Sequence, residues 1–308
     1  MIVSIGEPMV EFNQTKRGER AYLQGFGGDT SNMIIAAARS GARAAYVTRV
    51  GEDEFGRMFL DLWQREKVDT RGVIVDREAS TAAYFVTHGR KGHVFSYLRA
   101  GSAASRLAPR DLPGFVAKAS IVHASGITLA LSRSAADTVL AAFRRARGRI
   151  SFDSNLRLKL WPIERAREMI GAAAAMADYF FPSIEDARAL SGRRTVEANL
   201  DWAHGLGAKT VFLKLGAEGV VVSDGARRER IAGIKVKAVD ATGAGDCFCG
   251  AALARLLAGD SVWDAARYAN AAAALATTGY GAVDPLPRRQ AVRRLIASKS
   301  PARRSPRR

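Results

Sequence analysis

The feature that most limits how this chain can fold is a regular alternation of short apolar runs of strand length with longer segments whose apolar residues recur at helical spacing. Residues 2–5 form an apolar run closed by Gly6, and residues 31–39 follow with Met33, Ile34, Ala37 and Ala38 on one helical face. Residues 44–50 return to strand character. Residues 53–66 place Phe55, Met58, Phe59, Leu62 and Trp63 on one side of a helix, and 72–75 are again extended. The rhythm continues with strands at 121–123, 149–152, 179–181 and 210–214, separated by helices at 132–147, 163–176 and 183–190. Parallel strands need crossovers that helices supply. The pattern therefore predicts an α/β fold, a three-layer α/β/α sandwich with a mostly parallel central sheet and binding residues at the carboxyl ends of its strands.

Two stretches break the rhythm. Residues 11–24 and 81–99 alternate apolar with polar side chains around turn signals such as His88-Gly89-Arg90, which reads as two hairpins. Joined, they predict a small β-sheet lid, formed discontinuously by residues 11–25 and 79–102, over the mouth of the main sheet. At 308 residues the chain is long enough for one large domain, here expected over 1–287, without disulfide staples. Cys247 and Cys249 are its two cysteines and diverge on a predicted helix, so reduced thiols and a cytoplasmic setting are expected. The first residues lack a basic stretch and a cleavage site, and no apolar run is long enough to span a bilayer, so neither a signal peptide nor a membrane partner is expected.

The net charge of +17 raises the question of nucleic acid. Residues 288–308 hold nine Lys or Arg and no acid, and removing those nine from +17 leaves +8 for the body. The Pro/Ser/Arg composition reads as a basic, disordered C-terminal tail, solvated rather than engaged with nucleic acid.

The motif that carries chemistry is Asp240-Ala241-Thr242-Gly243-Ala244-Gly245-Asp246, between a strand-like run at 234–239 and an apolar helix through Phe248, Leu253 and Leu256. A glycine-rich turn opening a helix offers unpaired N–H groups and the positive end of the helix dipole, a seat for a phosphoryl group gaining charge. Asp246 lies in that first turn, where a carboxylate reaches the hydroxyl that attacks phosphorus. A carboxylate that only caps the helix is the alternative.

Together with Gly27-Gly28-Asp29-Thr30-Ser31-Asn32, this run resembles the paired signatures of ribokinase/PfkB carbohydrate kinases, in an order and spacing that cover the chain to about Pro287. The resemblance implies a ribokinase-like fold and ATP with Mg2+ as cofactors. It implies that Gly27, Gly28 and Asn32 hold the sugar, that Thr242, Gly243, Ala244 and Gly245 form the anion hole, and that Asp246 is the catalytic base. Ala241 departs from the family's usual Thr or Pro. By the same resemblance, Lys214, Gly216 and Gly219 lie along the nucleotide, and Asn270 with the 278–282 stretch lies near adenine and ribose. For the glycine loop a plain hairpin remains open, and for Asn270 the packing of two alanine-rich helices. Ser183 and Asp186 stand where the family has an Asn-x-x-Glu element that organises magnesium through water; Ser183 also suits a helix N-cap.

Substrate choice should lie in the lid and the sheet mouth, where a carboxylate would call for guanidinium groups. Gly6-Glu7-Pro8, Tyr97-Leu98-Arg99 and Asp153-Ser154-Asn155-Leu156-Arg157 resemble the 2-keto-3-deoxygluconate kinases of this family. That resemblance implies that Gly28, Tyr84, Tyr97, Arg99 and Arg157 surround a sugar acid whose C6 hydroxyl is phosphorylated. Other sugar kinases of the fold, acting on fructose, ribose or an epimeric keto acid, are the nearest rivals, and a regulatory or nucleic-acid-binding protein using the basic tail is the rival of another class. A homo-oligomer formed through the lid is also considered, since Ala83, Phe85, Phe95 and Tyr97 give it apolar surface.

Overall fold

The apolar runs pair into one sheet because most are buried on both faces, as Ile2–Ile5 and Ile121–Ser125 are throughout, and so must be covered on both by helices. The computed structural model describes residues 1–89 and 92–299. The amino-terminal half contains β1 (Ile2–Ile5), β2 (Met9–Gln14), β3 (Tyr22–Gly27), α1 (Asp29–Arg39), β4 (Ala44–Gly51), α2 (Glu54–Arg65), β5 (Val68–Asp76), β6 (Ala82–Gly89) and β7 (Gly92–Leu98). Next come β8 (Ile121–Ser125), α3 (Gly126–Leu131), α4 (Arg133–Arg145), β9 (Arg149–Asp153), α5 (Ile163–Ala175), β10 (Tyr179–Phe180), α6 (Ile184–Ser191) and α7 (Val196–Gly205). The chain then forms β11 (Thr210–Lys214), β12 (Gly219–Ser223), β13 (Arg228–Ala232), α8 (Ala244–Leu257), α9 (Val262–Ala276) and α10 (Arg289–Lys299).

The main sheet has the order β13-β12-β11-β10-β9-β8-β1-β4-β5 and is parallel from β5 to β11, with β12 and β13 added antiparallel at one edge. The chain leaves β1 toward β4 and β5 on one side and returns to β8 on the other. This is a topological switch point, which opens a crevice at the carboxyl ends of β1 and β8. A second sheet, β3-β2-β6-β7, joins two antiparallel hairpins through the parallel pair β2–β6. The expected three-layer sandwich with its smaller sheet is therefore the observed architecture.

Each face of the main sheet has its own apolar core. Along β1, Ile2 points into the core with Met33, Phe59, Trp63 and Phe248, while Val3 and Ile5 point into the one with Phe143, Phe152 and Ile170. Helices α1 and α8 approach closely because position 250 carries no side chain: a Cβ on Gly250 would fall 2.2 Å from the Met33 carbonyl oxygen. Gly250→Ala is therefore expected to force these helices apart, costing about 1–3 kcal/mol by overpacking. A thermal melt checks the stability loss. Turnover should fall too, since the same two helices carry the site's central hydrogen bond.

Two expectations need correction. Residues 234–239 form no strand; β13 already ends the sheet, and Val239 and Asp240 instead donate their N–H groups to Thr277 O at 2.7 and 3.1 Å. The basic segment is also not wholly a disordered tail. Residues 289–299 are helical, with Val292 fully buried and Leu295 and Ile296 packed on the core, an apolar stripe that the surrounding arginines mask in the sequence. Residues 300–308, the rest of that expected tail, lie outside the described residues, as do 90 and 91.

Candidate active site

Two helix N-termini meet above the crevice. Helix α1 begins at Gly28, whose φ of 97° and missing Cβ let it sit against the Glu7 carbonyl oxygen; a Cβ there would lie 2.3 Å from it. Helix α8 begins at Gly243, also left-handed at φ 74° and wedged against Ala282 O. No side chain caps α8: Ala244 N turns back to Ala241 O at 3.2 Å, and the N–H groups of Gly245 and Asp246 in the same turn have no intrahelical partner. Asp240 fixes the turn: it accepts from Thr242 N at 2.9 Å, Thr242 Oγ1 at 2.7 Å and Gly281 N at 3.0 Å.

Asp246 and Asn32, 214 positions apart in sequence, meet between these helices: Asn32 Nδ2 donates to Asp246 Oδ2 at 2.9 Å. Burial, then the nearby Asp29 carboxylate, raises the Asp246 pKa to about 8, opposed by the Asn32 bond. Beside it, Lys214 at the end of β11 donates to Asp153 Oδ2 at the end of β9, at 2.6 Å. Burial alone would drain charge from Lys214, but Asp153 leads the groups that outweigh it and hold the ammonium protonated. Cys249 Sγ contributes a further contact to Asp153 Oδ2 at 3.2 Å. A Cβ on Gly245 would lie 3.6 Å from Lys214 Nζ, which places a buried cation directly beside the uncapped turn.

The loop after β9 is braced from below. Asp186 Oδ2 accepts from Ser154 Oγ at 2.7 Å and Leu156 N at 3.0 Å, while Ser183 Oγ accepts from Asp186 N at 3.0 Å as the N-cap of α6. Asn155, within that loop, donates to Asp29 Oδ2 at 2.8 Å. Arg157 follows, exposed and without an ion pair among the described residues; its Nη1 donates to Leu156 O at 2.9 Å, and its positive charge acts on Asp29.

On the smaller sheet, Tyr84 donates to Glu11 and packs where a Cβ on Gly27 would meet its hydroxyl at 2.6 Å. Its ring lies 5.9 Å from that of Tyr97. The Arg99 guanidinium sits 5.8 Å over the Tyr97 ring and pairs with the buried Glu7, which also accepts from Ser102 Oγ at 2.8 Å. Thus the structure brings Gly27, Gly28, Asn32, Tyr84, Tyr97, Arg99, Arg157, Lys214 and the 242–246 turn around one crevice. Gly216, Gly219 and Asn270 stand apart at the β12–β13 edge. There Gly219 lets the backbone of Ile231 approach, and Asn270 Nδ2 donates to Ala232 O at 2.8 Å.

Glu7, Asp29 and Asp153 lie within the sequence motifs, yet sequence reasoning does not single them out as site residues. The missing signal is burial. Among the described residues, five buried side-chain N or O atoms have no partner, and three of them, Asp29 Oδ1, Asn32 Oδ1 and Arg99 Nε, belong to this crevice. Leaving such groups unpaired costs about 1–3 kcal/mol each, so they mark where a hydroxylated ligand would complete the hydrogen bonding.

The model of the pfkB family carbohydrate kinases matches residues 1–289. The chain belongs to that family. This pfkB kinase is 37% identical over 299 residues to the 2-dehydro-3-deoxygluconokinase of Thermoproteus tenax, covering 93% of this chain and 91% of that one. It is 33% identical to fructokinase-1 of Oryza sativa subsp. japonica, covering 97% and 98%. In three dimensions it is similar to the fructokinase of Vibrio cholerae O395 crystallised with fructose, ADP and calcium ion, at a TM-score of 0.88 and 30% identity over 96% and 98% of the two chains. No helix among the described residues is long and apolar enough to cross a membrane.

Proposed function

We propose that this kinase phosphorylates 2-keto-3-deoxygluconate at its C6 hydroxyl, using MgATP, to give 2-keto-3-deoxy-6-phosphogluconate. The observation that carries the substrate assignment is Arg157, an exposed guanidinium that makes no ion pair among the described residues, on the loop that Asp186 and Asn155 brace and near enough to Asp29 for its charge to act there. A guanidinium left without an acid in such a place suits a carboxylate, which it can bind bidentately. The relatedness to the Thermoproteus tenax enzyme supports the same reading.

In the proposed reaction the C6 hydroxyl oxygen attacks the γ-phosphorus of ATP, the bond to the β,γ-bridging oxygen breaks, and Asp246 takes the hydroxyl proton. Asn32 aims the Asp246 carboxylate, and the first-turn amides at Gly243, Ala244 and Gly245 hold the charge that gathers on the phosphoryl oxygens. Lys214, kept charged by Asp153, lies within reach of the same oxygens. The uncapped turn and this buried cation fit a nucleotide phosphate, and a magnesium ion bound with it would neutralise charge as it transfers. Asp186 would act on that ion only through water, since one of its oxygens already braces the loop. Gly28, Tyr84, Tyr97 and Arg99 would line the sugar acid, and Thr242, Gly216, Gly219, Ser183 and Asn270 the nucleotide side. Residues 1–287 would act as one kinase unit, with the β2-β3-β6-β7 sheet as its lid.

A second reading, fructose as acceptor, is favoured by one observation: Arg99 already spends its charge on Glu7, leaving Arg157 to distinguish an acid from a neutral sugar. An ADP-release assay across 2-keto-3-deoxygluconate, fructose and ribose tests the two. Equal turnover of fructose would remove the sugar-acid assignment. Arg157→Ala is expected to raise KM for the keto acid roughly 10- to 100-fold, the loss of one charge-assisted contact, with kcat and the KM for fructose little changed.

A further inference from the structure

Helix α10 violates the rules that stabilise helices. Arg289 stands in its first turn, where the dipole disfavours a cation, and no acid stands there to offset it. Arg289 and Arg293 are one turn apart, a like-charge spacing that costs a few tenths of a kcal/mol. Arg288, Arg289, Arg293, Arg294 and Lys299 are all exposed, and of these only Arg288 reaches an acid among the described residues, Glu66 at 3.6 Å. Glu66 is itself already bonded to Arg39 at 2.8 Å. Some arginines elsewhere do pair with acids, as Arg227 and Arg267 do with Glu229 and Arg255 does with Asp260, while others such as Arg144, Arg145 and Arg157 do not among the described residues; what sets α10 apart is that several unpaired cations share one short helix. Fixed, unneutralised like charges on an ordered helix are a local penalty without a compensating partner inside the molecule.

We propose that the α10 face binds the phosphate backbone of duplex nucleic acid, without sequence preference. Charge complementarity names a polyanion, and arginine in preference to lysine suits phosphate, which guanidinium binds bidentately. The apolar stripe of α10 is already consumed: Val292 is fully buried and Leu295 and Ile296 pack against the core. No large apolar side chain of the helix is therefore fully exposed to enter a lipid surface, which an interfacial helix requires. Nor does α10 carry an aromatic ring on which unpaired bases could stack, which favours a duplex over a single strand.

The surface is separate from the phosphoryl-transfer site. A Cβ on Gly41, just beyond the carboxyl end of α1, would lie 3.6 Å from Arg289 Nη1, whereas Asn32 and Asp246 meet at the amino end of the same helix. About 14 Å of helical rise separates positions 32 and 41.

The test is fluorescence anisotropy of the full chain with two labelled duplexes of unrelated sequence, between 50 and 200 mM KCl. Engagement of about four phosphates predicts a slope of log K against log salt of about −3.6, equal for both sequences, so that binding weakens roughly 150-fold over that range. The full-length Arg289→Ser, Arg293→Ser, Arg294→Ser variant should bind about a hundredfold more weakly at 100 mM and flatten the slope to about −1. Its sugar-kinase turnover should match the parent, which shows that it is folded. A parallel variant, with Arg303, Arg304, Arg307 and Arg308 changed to Ser, separates the helix from the residues after it. The proposal fails if the triple variant binds as the parent does, if the parallel variant alone abolishes binding, or if vesicles of phosphatidylglycerol capture the protein more tightly than duplex does.

Discussion

Asp246→Asn is expected to slow phosphoryl transfer by about 10²–10⁴-fold, the range a general base contributes, and at the same time to make the protein more stable. The two effects share one cause. The carboxylate is held where burial and Asp29 oppose its charge, and its pKa rises to about 8. Between the ordinary carboxylate value and about 8, the folded protein keeps a proton on Asp246 that the unfolded chain has lost, so this group lowers stability progressively as pH rises through that window. An asparagine has no proton to lose. The melting temperature of the variant should therefore exceed the parent's by a few degrees near pH 8 and by much less near pH 5, as differential scanning calorimetry would show. A variant that loses activity and stability together would mean that Asp246 is a structural cap.

Lys214→Met acts in the opposite direction. Its side chain is 14% exposed and that of Asp153 is 5%, and the pair closes at 2.6 Å. Removing the ammonium leaves Asp153, among the described residues, with the Cys249 thiol and a loop N–H against its charge, and breaking a buried pair in this way costs about 3–5 kcal/mol. The melting temperature should drop on the order of 10 °C. Lys214→Met with Asp153→Asn should recover much of that loss, because the stranded charge is gone, yet remain slow in catalysis because no cation faces the uncapped turn. Recovery of both stability and rate in the double variant would remove Lys214 from the phosphoryl site.

Much of the fold is legible in the residues alone. Strand-length apolar runs separated by amphipathic helices leave few alternatives to a covered parallel sheet, and two glycine-rich turns opening helices mark where its anions would sit. Pairing across distance is what a linear reading cannot show. Glu7 with Arg99, and Lys214 with Asp153 and Cys249, are buried contacts made by residues that look like ordinary surface charges until the sheet brings β1, β9 and β11 into register. The run at 234–239 has β character but pairs with no strand among the described residues, and at its end Val239 and Asp240 bond to Thr277 O instead, so local propensity lost to tertiary contacts. In α10 the error ran the other way: the cations along the segment obscured Val292, Leu295 and Ile296 at helical spacing, and packing on the core decided the outcome.

The pH dependence of kcat/KM tests the central assignment most directly, because it reports the ionisation of the free enzyme's essential base. For 2-keto-3-deoxygluconate with saturating MgATP, the parent should lose activity as pH falls through about 8, and the residual activity of Asp246→Asn should show no such limb. An acid limb that persists unchanged in the variant would assign the proton to another group and contradict the role of Asp246 as the base.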